Sequence, residues 1–167
     1  LRDFLARLEK DGELVRVKAP VSTVLEMTEI QTRLIAEGGP AVLFENPVKA
    51  DGTPSAMPVL VNLFGTVKRV AMGVTMGGVE RTSAVQLREV GELLAQLRQP
   101  QPPRSFGEAA GLLPLVKTVL AMKPKTVSRA PCQEIVRRGG DIDLNALPIQ
   151  TCWPGEPAPL ITWPLVV

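Results

Sequence analysis

The chain has 167 residues, 45% hydrophobic and 22% charged, with a net charge of +2. That is the mix of a soluble globular protein with room for one domain and the start of another, not of a disordered one. The charges are dispersed, aromatics are few and Tyr is absent, which argues against a nucleic-acid stripe. No apolar run nears the ~20 residues that a membrane helix needs, and no signal-peptide pattern opens the chain. These absences make cytoplasm the expected location. There is no His, so imidazole acid–base chemistry and imidazole metal ligation are excluded. Cys132 and Cys152 stand twenty positions apart without a second pair. They fit no zinc pattern and are expected to be free, acting as small hydrophobes.

Leu1, Phe4, Leu5 and Leu8 repeat at helical spacing, and Asp11-Gly12 ends that helix. Glu13 to Val17 reads as a short strand closed by Pro20. Thr23 and Glu26 have the spacing of a capping box. Val24, Met27, Gln31, Leu34 and Ile35 then form a helical stripe, stopped by Gly38-Gly39-Pro40. Ala41 to Glu45 is the next strand. Asn46-Pro47 turns the chain, and a loop runs from Lys49 to Ser55 with Asp51-Gly52 at its tip. Pro58 to Phe64 is almost wholly apolar and reads as a strand buried on both faces.

Gly65-Thr66 leads into Val67 to Met72, with Lys68-Arg69 at the start. Two readings stay open: an anion site at a helix N-terminus, or two solvated charges beside a turn. The glycines at 73, 77 and 78 fit neither the dinucleotide fingerprint nor the phosphate-loop spacing. Ser83 and Gln86 form a second capping-box pair. Leu87, Val90, Leu94 and Leu97 mark the helix behind it, ended by Pro100. Pro100 to Pro103 is a stiff linker. Ser105 and Glu108 open a third helix with Leu112, Val116, Val119 and Leu120 on its face, broken at Pro114.

Beyond Lys123 the pattern changes to short strands, Lys125 to Ser128 and Gln133 to Arg137. A domain boundary is expected here, with residues 1–124 forming a mixed α/β domain and 125–167 the start of a β-rich one. The fold class is therefore α+β. Asp143 is placed to cap Leu144 to Leu147. Trp153 reads as an anchor packed under a proline-rich loop, and Glu156 as an exposed loop carboxylate. Thr162 is the one polar side chain in an apolar strand from Leu160 to Val167, where its hydroxyl either meets a ligand or bonds to backbone. The apolar end and the start at Leu1 inside a helical pattern suggest a piece of a longer protein. The residues by themselves reveal no nucleophile, base or metal cluster.

Several blocks taken together resemble the start of the UbiD family of carboxy-lyases. They are Leu1 to Leu5, Gly12 to Leu14, GGPAVLFENP at 38–47, MPVLVNLFGTVKRVAMG at 57–73 and LREVGELLAQLRQPQPP at 87–103. Ala130 to Gln133 and the whole of Asp141 to Val167 complete the set. The resemblance runs in order along nearly the whole chain, with weaker matches at Lys49 to Ala56 and Val74 to Arg81.

The resemblance implies the first part of a decarboxylase that uses prenylated FMN. It implies a mixed domain leading into a split-barrel-like flavin domain, and a manganese ion and a monovalent cation beside the flavin. The substrate it implies is an aromatic acid of the polyprenyl-4-hydroxybenzoate type, in ubiquinone biosynthesis. A homo-oligomer without nucleic-acid partners is implied as well, and a polyprenyl substrate would bring peripheral membrane contact. The family's metal motif and its catalytic carboxylates match no position in these residues. Thr162 is the candidate cofactor contact, and no catalytic or metal residue is assigned. The competing expectation is a binding or scaffold domain of the same fold without chemistry.

Overall fold

The computed structural model describes residues 1–74, 84–98, 107, 111, 116–117, 120, 124, 126–130 and 133–161. Contacts divide the chain into two compact units, one made of Leu1–Val70 with Gly140–Val167, the other of Ala71–Gly139.

The first unit begins with helix α1, Arg2–Lys10, whose single buried residue is Leu8. Gly12 takes a positive φ of 71°, open to glycine at little cost, and turns the chain into strand β1, Leu14–Val17. Strand β2, Val21–Ser22, and helix α2, Glu26–Ala36, come after it. Strands β3, Ala41–Phe44, β4, Pro47–Val48, and β5, Val59–Val61, come next. The main sheet has the order β1-β3-β5. β1 runs parallel to β3, with Leu14 opposite Ala41 and Val17 opposite Phe44, and β5 runs antiparallel to β3, with Val42 opposite Val61. Central β3 carries the most buried run, Ala41, Val42 and Phe44. Met27 of α2 packs with Val21, Val42, Phe44 and Val61 into the core, and Ile30 and Leu34 lie against it. A parallel strand beside an antiparallel one, with helices packed close by, makes an α+β fold.

The sequence pattern missed the second sheet. β2 and β4 pair in parallel, Val21 with Pro47 and Ser22 with Val48. Two-residue strands carry no periodicity, and Pro47 lacks the N–H that a ladder donor needs.

The strand expected at Pro58 to Phe64 is shorter, because Asn62 adopts a left-handed φ of 57° and ends the ladder. β5 is also an edge strand. Val59 and Leu60 are half-buried, and Phe64, beyond the turn, is exposed and stacks on Phe4 at a ring separation of 6.2 Å. The capping box expected between Thr23 and Glu26 does not form. Leu25 occupies the N-cap position without a side-chain bond, and the Glu26 carboxylate accepts from the Ser22 N–H at 2.6 Å. Thr23 is buried, its backbone paired to strands on both sides, which removes it from the helix end.

Helix α3, Val67–Gly73, comes after the Gly65-Thr66 turn and crosses from the first unit into the second. In the second unit, helix α4 spans Ala84–Arg98. Its Val90 is buried, Leu87 half-buried and Leu94 exposed. The Ser83–Gln86 cap and most of the third expected helix lie outside the described residues. Val116 and Leu120, assigned to the buried face of that helix, are exposed.

Strands expected at Lys125 to Ser128 and Gln133 to Arg137 are absent among the described residues, and Ile135 and Val136 stand in solvent, Ile135 at 80% exposure. A strand needs a neighbour to satisfy its backbone, and these positions find none. The chain then makes two 3-10 turns, Gly139–Asp141 and Leu144–Ala146. Asp143 does cap the second, its carboxylate accepting from the Asn145 N–H at 2.9 Å.

Candidate functional site

The charged residues singled out in the sequence come together with one that was not. Lys68 and Arg69 begin α3, and both reach Glu13 at the mouth of β1. Lys68 Nζ lies 2.6 Å from Glu13 Oε1, and Arg69 Nη1 lies 3.0 Å from Glu13 Oε2. Arg69 is fully buried, at 0% exposure. Its Nε donates to the Leu63 carbonyl at 3.1 Å and its Nη2 to the Asn62 carbonyl at 3.1 Å. One planar guanidinium thus ties the start of β1 to the turn after β5. The Arg69 N–H donates in turn to Thr66 Oγ1 at 3.3 Å, fixing the first turn of α3.

Asn62 is the other half of the cluster. Its Nδ2 donates to the carbonyls of Gly39 at 3.1 Å and Pro40 at 2.8 Å, so the turn after β5 also holds the loop before β3. Two carbonyl acceptors decide which end of the amide is nitrogen. Its Oδ1 is buried without a partner among the described residues. A Cβ on Gly65 would collide with that oxygen, and the amide, held at its other end, cannot swing aside. Gly65 is therefore required by the close approach of a neighbouring side chain.

The hydrogen bond from Lys68 holds the Glu13 carboxyl below its ordinary value. Arg69 adds to the effect, and partial burial opposes it. The cluster pairs charges and satisfies carbonyls. An anion arriving from solvent meets no free buried cation here, because Arg69 is enclosed and committed. The reading of Lys68-Arg69 as two solvated charges is corrected for Arg69, which is buried, and both bases pair with Glu13.

The C-terminal residues assigned a role fall differently. Trp153 is 68% exposed, not packed under its loop. Glu156, expected in solvent, is half-buried, and its Oε2 accepts from the Cys152 N–H at 2.6 Å. Glu156 N–H returns to the Trp153 carbonyl at 3.3 Å, and Gly155 has a φ of 81°. The carboxylate closes this turn, and Trp153 stands exposed within it. Cys152 is free and half-buried. Leu160 and Ile161 are exposed without strand pairing. Thr162 and Cys132 lie outside the described residues.

Glu13 and Asn62 escaped the sequence reading. Glu13 pairs across 55 and 56 positions, a separation without a local signal. Asn62 left a faint one: a single amide inside an apolar run, three residues before a glycine.

The family model of the 3-octaprenyl-4-hydroxybenzoate carboxy-lyase N-terminal domain matches residues 5–94, more than half of the chain. The chain belongs to the UbiD family. The Rift-related domain of the same carboxy-lyase family matches residues 125–167. Two solved UbiD-class structures are similar. One is an evolved dimeric form of HmfF from Pelotomaculum thermopropionicum in complex with prFMN, 28% identical over 62% of this chain and 21% of that chain, with a TM-score of 0.41. The other is HmfF from the same organism in complex with FMN, 28% identical over 62% of this chain and 20% of that one, with a TM-score of 0.40. The chain thus spans about a fifth of their length.

Among the described residues of this UbiD chain no group of three His, Cys, Asp or Glu is placed to hold a metal ion, and the buried cation is already paired. No chemical step is assigned to them. Among the described residues no helix is long and apolar enough to cross a membrane.

Proposed function

We propose that this chain is the N-terminal part of a prenylated-FMN-dependent decarboxylase that releases CO2 from an aromatic acid of the polyprenyl-4-hydroxybenzoate type, in ubiquinone biosynthesis. The match of the carboxy-lyase family model over residues 5–94 carries the proposal. The boundary between the α/β domain, 1–124, and the cofactor domain, 125–167, is part of it. The second family match, starting at residue 125, supports that division.

In this reading prenylated FMN supplies an electron sink for the aromatic ring, with manganese and a monovalent cation beside it. Thr162 is proposed as the contact these residues make with the flavin. The aromatic acid, a homo-oligomeric assembly, a cytoplasmic location and peripheral membrane contact through the polyprenyl chain belong to the same proposal.

The test is decarboxylation by the whole protein supplied with prenylated FMN and Mn2+. Release of CO2 from 3-polyprenyl-4-hydroxybenzoate is expected, and the 167 residues alone should show none. Thr162→Val should retain less flavin, read from the visible absorbance after gel filtration. Turnover by the 167 residues alone, or none by the whole loaded protein, defeats the reading. Full flavin retention by the variant removes Thr162 from the site.

A further inference from the structure

Residues 149–152 lie inside the stretch matched by the second family model and are held beside β2 and the start of α2. Thr151 forms a parallel bridge with Val24. Its N–H donates to the Thr23 carbonyl at 3.0 Å, and its carbonyl accepts from the Leu25 N–H at 3.0 Å. On the other side the Thr23 N–H donates to the Val48 carbonyl at 2.8 Å. Thr151 is thus a third rung beside the β2–β4 sheet. Two side chains reinforce it: Lys49 Nζ donates to the Asn145 carbonyl at 3.2 Å, and Gln150 Nε2 lies 3.7 Å from Met27 Sδ.

The residue that receives this segment is unusual. Leu25 has φ 63° and ψ −34°, a conformation that a bulky side chain rarely adopts. It is also the N-cap of α2 and is partly exposed, so packing of its side chain does not force the geometry. Its neighbours close the loop around it: Ser22 N–H to Glu26 Oε2, Val24 N–H to Ser22 Oγ at 3.1 Å, and Glu26 N–H to the Val24 carbonyl at 2.7 Å.

From this we propose that residues 149–152 are a releasable strap latched by the strained Leu25. When the strap is seated, Thr151 accepts the Leu25 N–H and stabilises the left-handed residue. When it leaves, Leu25 relaxes and the first turn of α2 loosens with it. Strap and helix start thus form one two-state element, opening below the energy of global unfolding. Chain leaving at Cys152 then takes its register from the N-terminal unit. This inference stands on backbone geometry and not on the decarboxylase reading.

Amide hydrogen exchange read by NMR on the intact protein tests it. The Leu25 and Thr151 amides should exchange together, and faster than those of β3. Exchange of either amide only at the β3 rate, or at unrelated rates, overturns the proposal. Thr151→Pro deletes the donor to Thr23. It should speed Leu25 exchange by about tenfold, the worth of one lost hydrogen bond or a little more, with β3 unchanged. An unaltered Leu25 rate counts against the latch. Leu25→Gly removes the strain but keeps the N–H. Thr151 exchange should then be slower or unchanged, and faster exchange overturns the role given to Leu25.

Discussion

Arg69 concentrates the most consequence in one side chain. It is buried, paired with Glu13 and bonded to two carbonyls. Breaking a buried pair by deleting one partner leaves the other charge uncompensated, which costs about 3–5 kcal/mol. Because Glu13 keeps Lys68 and some solvent contact, Arg69→Met is expected near the low end, read as a lowered urea midpoint. Arg69→Lys should not restore the loss, since one ammonium cannot span three acceptors held in a fork. Glu13 also leaves a pH signature. Its folded pKa is depressed below the ordinary 4.5, so its stabilising pair is intact above that value. The contribution is lost as pH falls from 4.5 through the lower folded value. Denaturant midpoints between about pH 6 and pH 3 should fall more for the natural protein than for Glu13→Gln. Equal slopes would show that Glu13 does not couple folding to pH.

Strand β3 is the element on which the first unit depends. It lies between β1 and β5, and its Phe44 is fully buried against Met27 of α2 and Val21 of β2. Phe44→Ala should cost about 3–5 kcal/mol, the range for an aromatic deleted from a core that cannot collapse. Thermal unfolding read by far-UV circular dichroism checks it, and a loss under ~1 kcal/mol would mean that the site refills. The apolar run Ala41 to Phe44 marked this strand clearly in the sequence, as the stripe from Met27 to Ile35 marked α2. The β2–β4 pair left no such mark, because two residues span less than one period of any pattern. Strands expected near residues 125 and 133 failed for the converse reason. Alternation suggests a sheet, but a sheet needs a neighbour in space.

Across the whole molecule, the two family matches and the contact pattern divide the chain differently. The family matches run 5–94 and 125–167, whereas the first compact unit joins Leu1–Val70 to Gly140–Val167. The strap at Thr151 accounts for part of that join, since it adds residues of the second family match to a sheet built from the first. The proposal for Thr162 rests on the family alone, while Arg69, Glu13 and Asn62 hold the first unit together.

The sequence by itself determined the α+β class, the positions of α1, β1, α2, β3 and α4, the Asp143 cap and the family. Each rests on local periodicity, a cap or turn signal, or an ordered set of blocks. Tertiary structure alone decided that Lys68 and Arg69 face Glu13. It also turned Trp153 outward and Glu156 inward, placed Asn62 Oδ1 against Gly65, and seated Thr151 beside Thr23. These outcomes depend on contacts between residues far apart in the chain, or on which backbone N–H groups lack another partner, and neither is written in spacing.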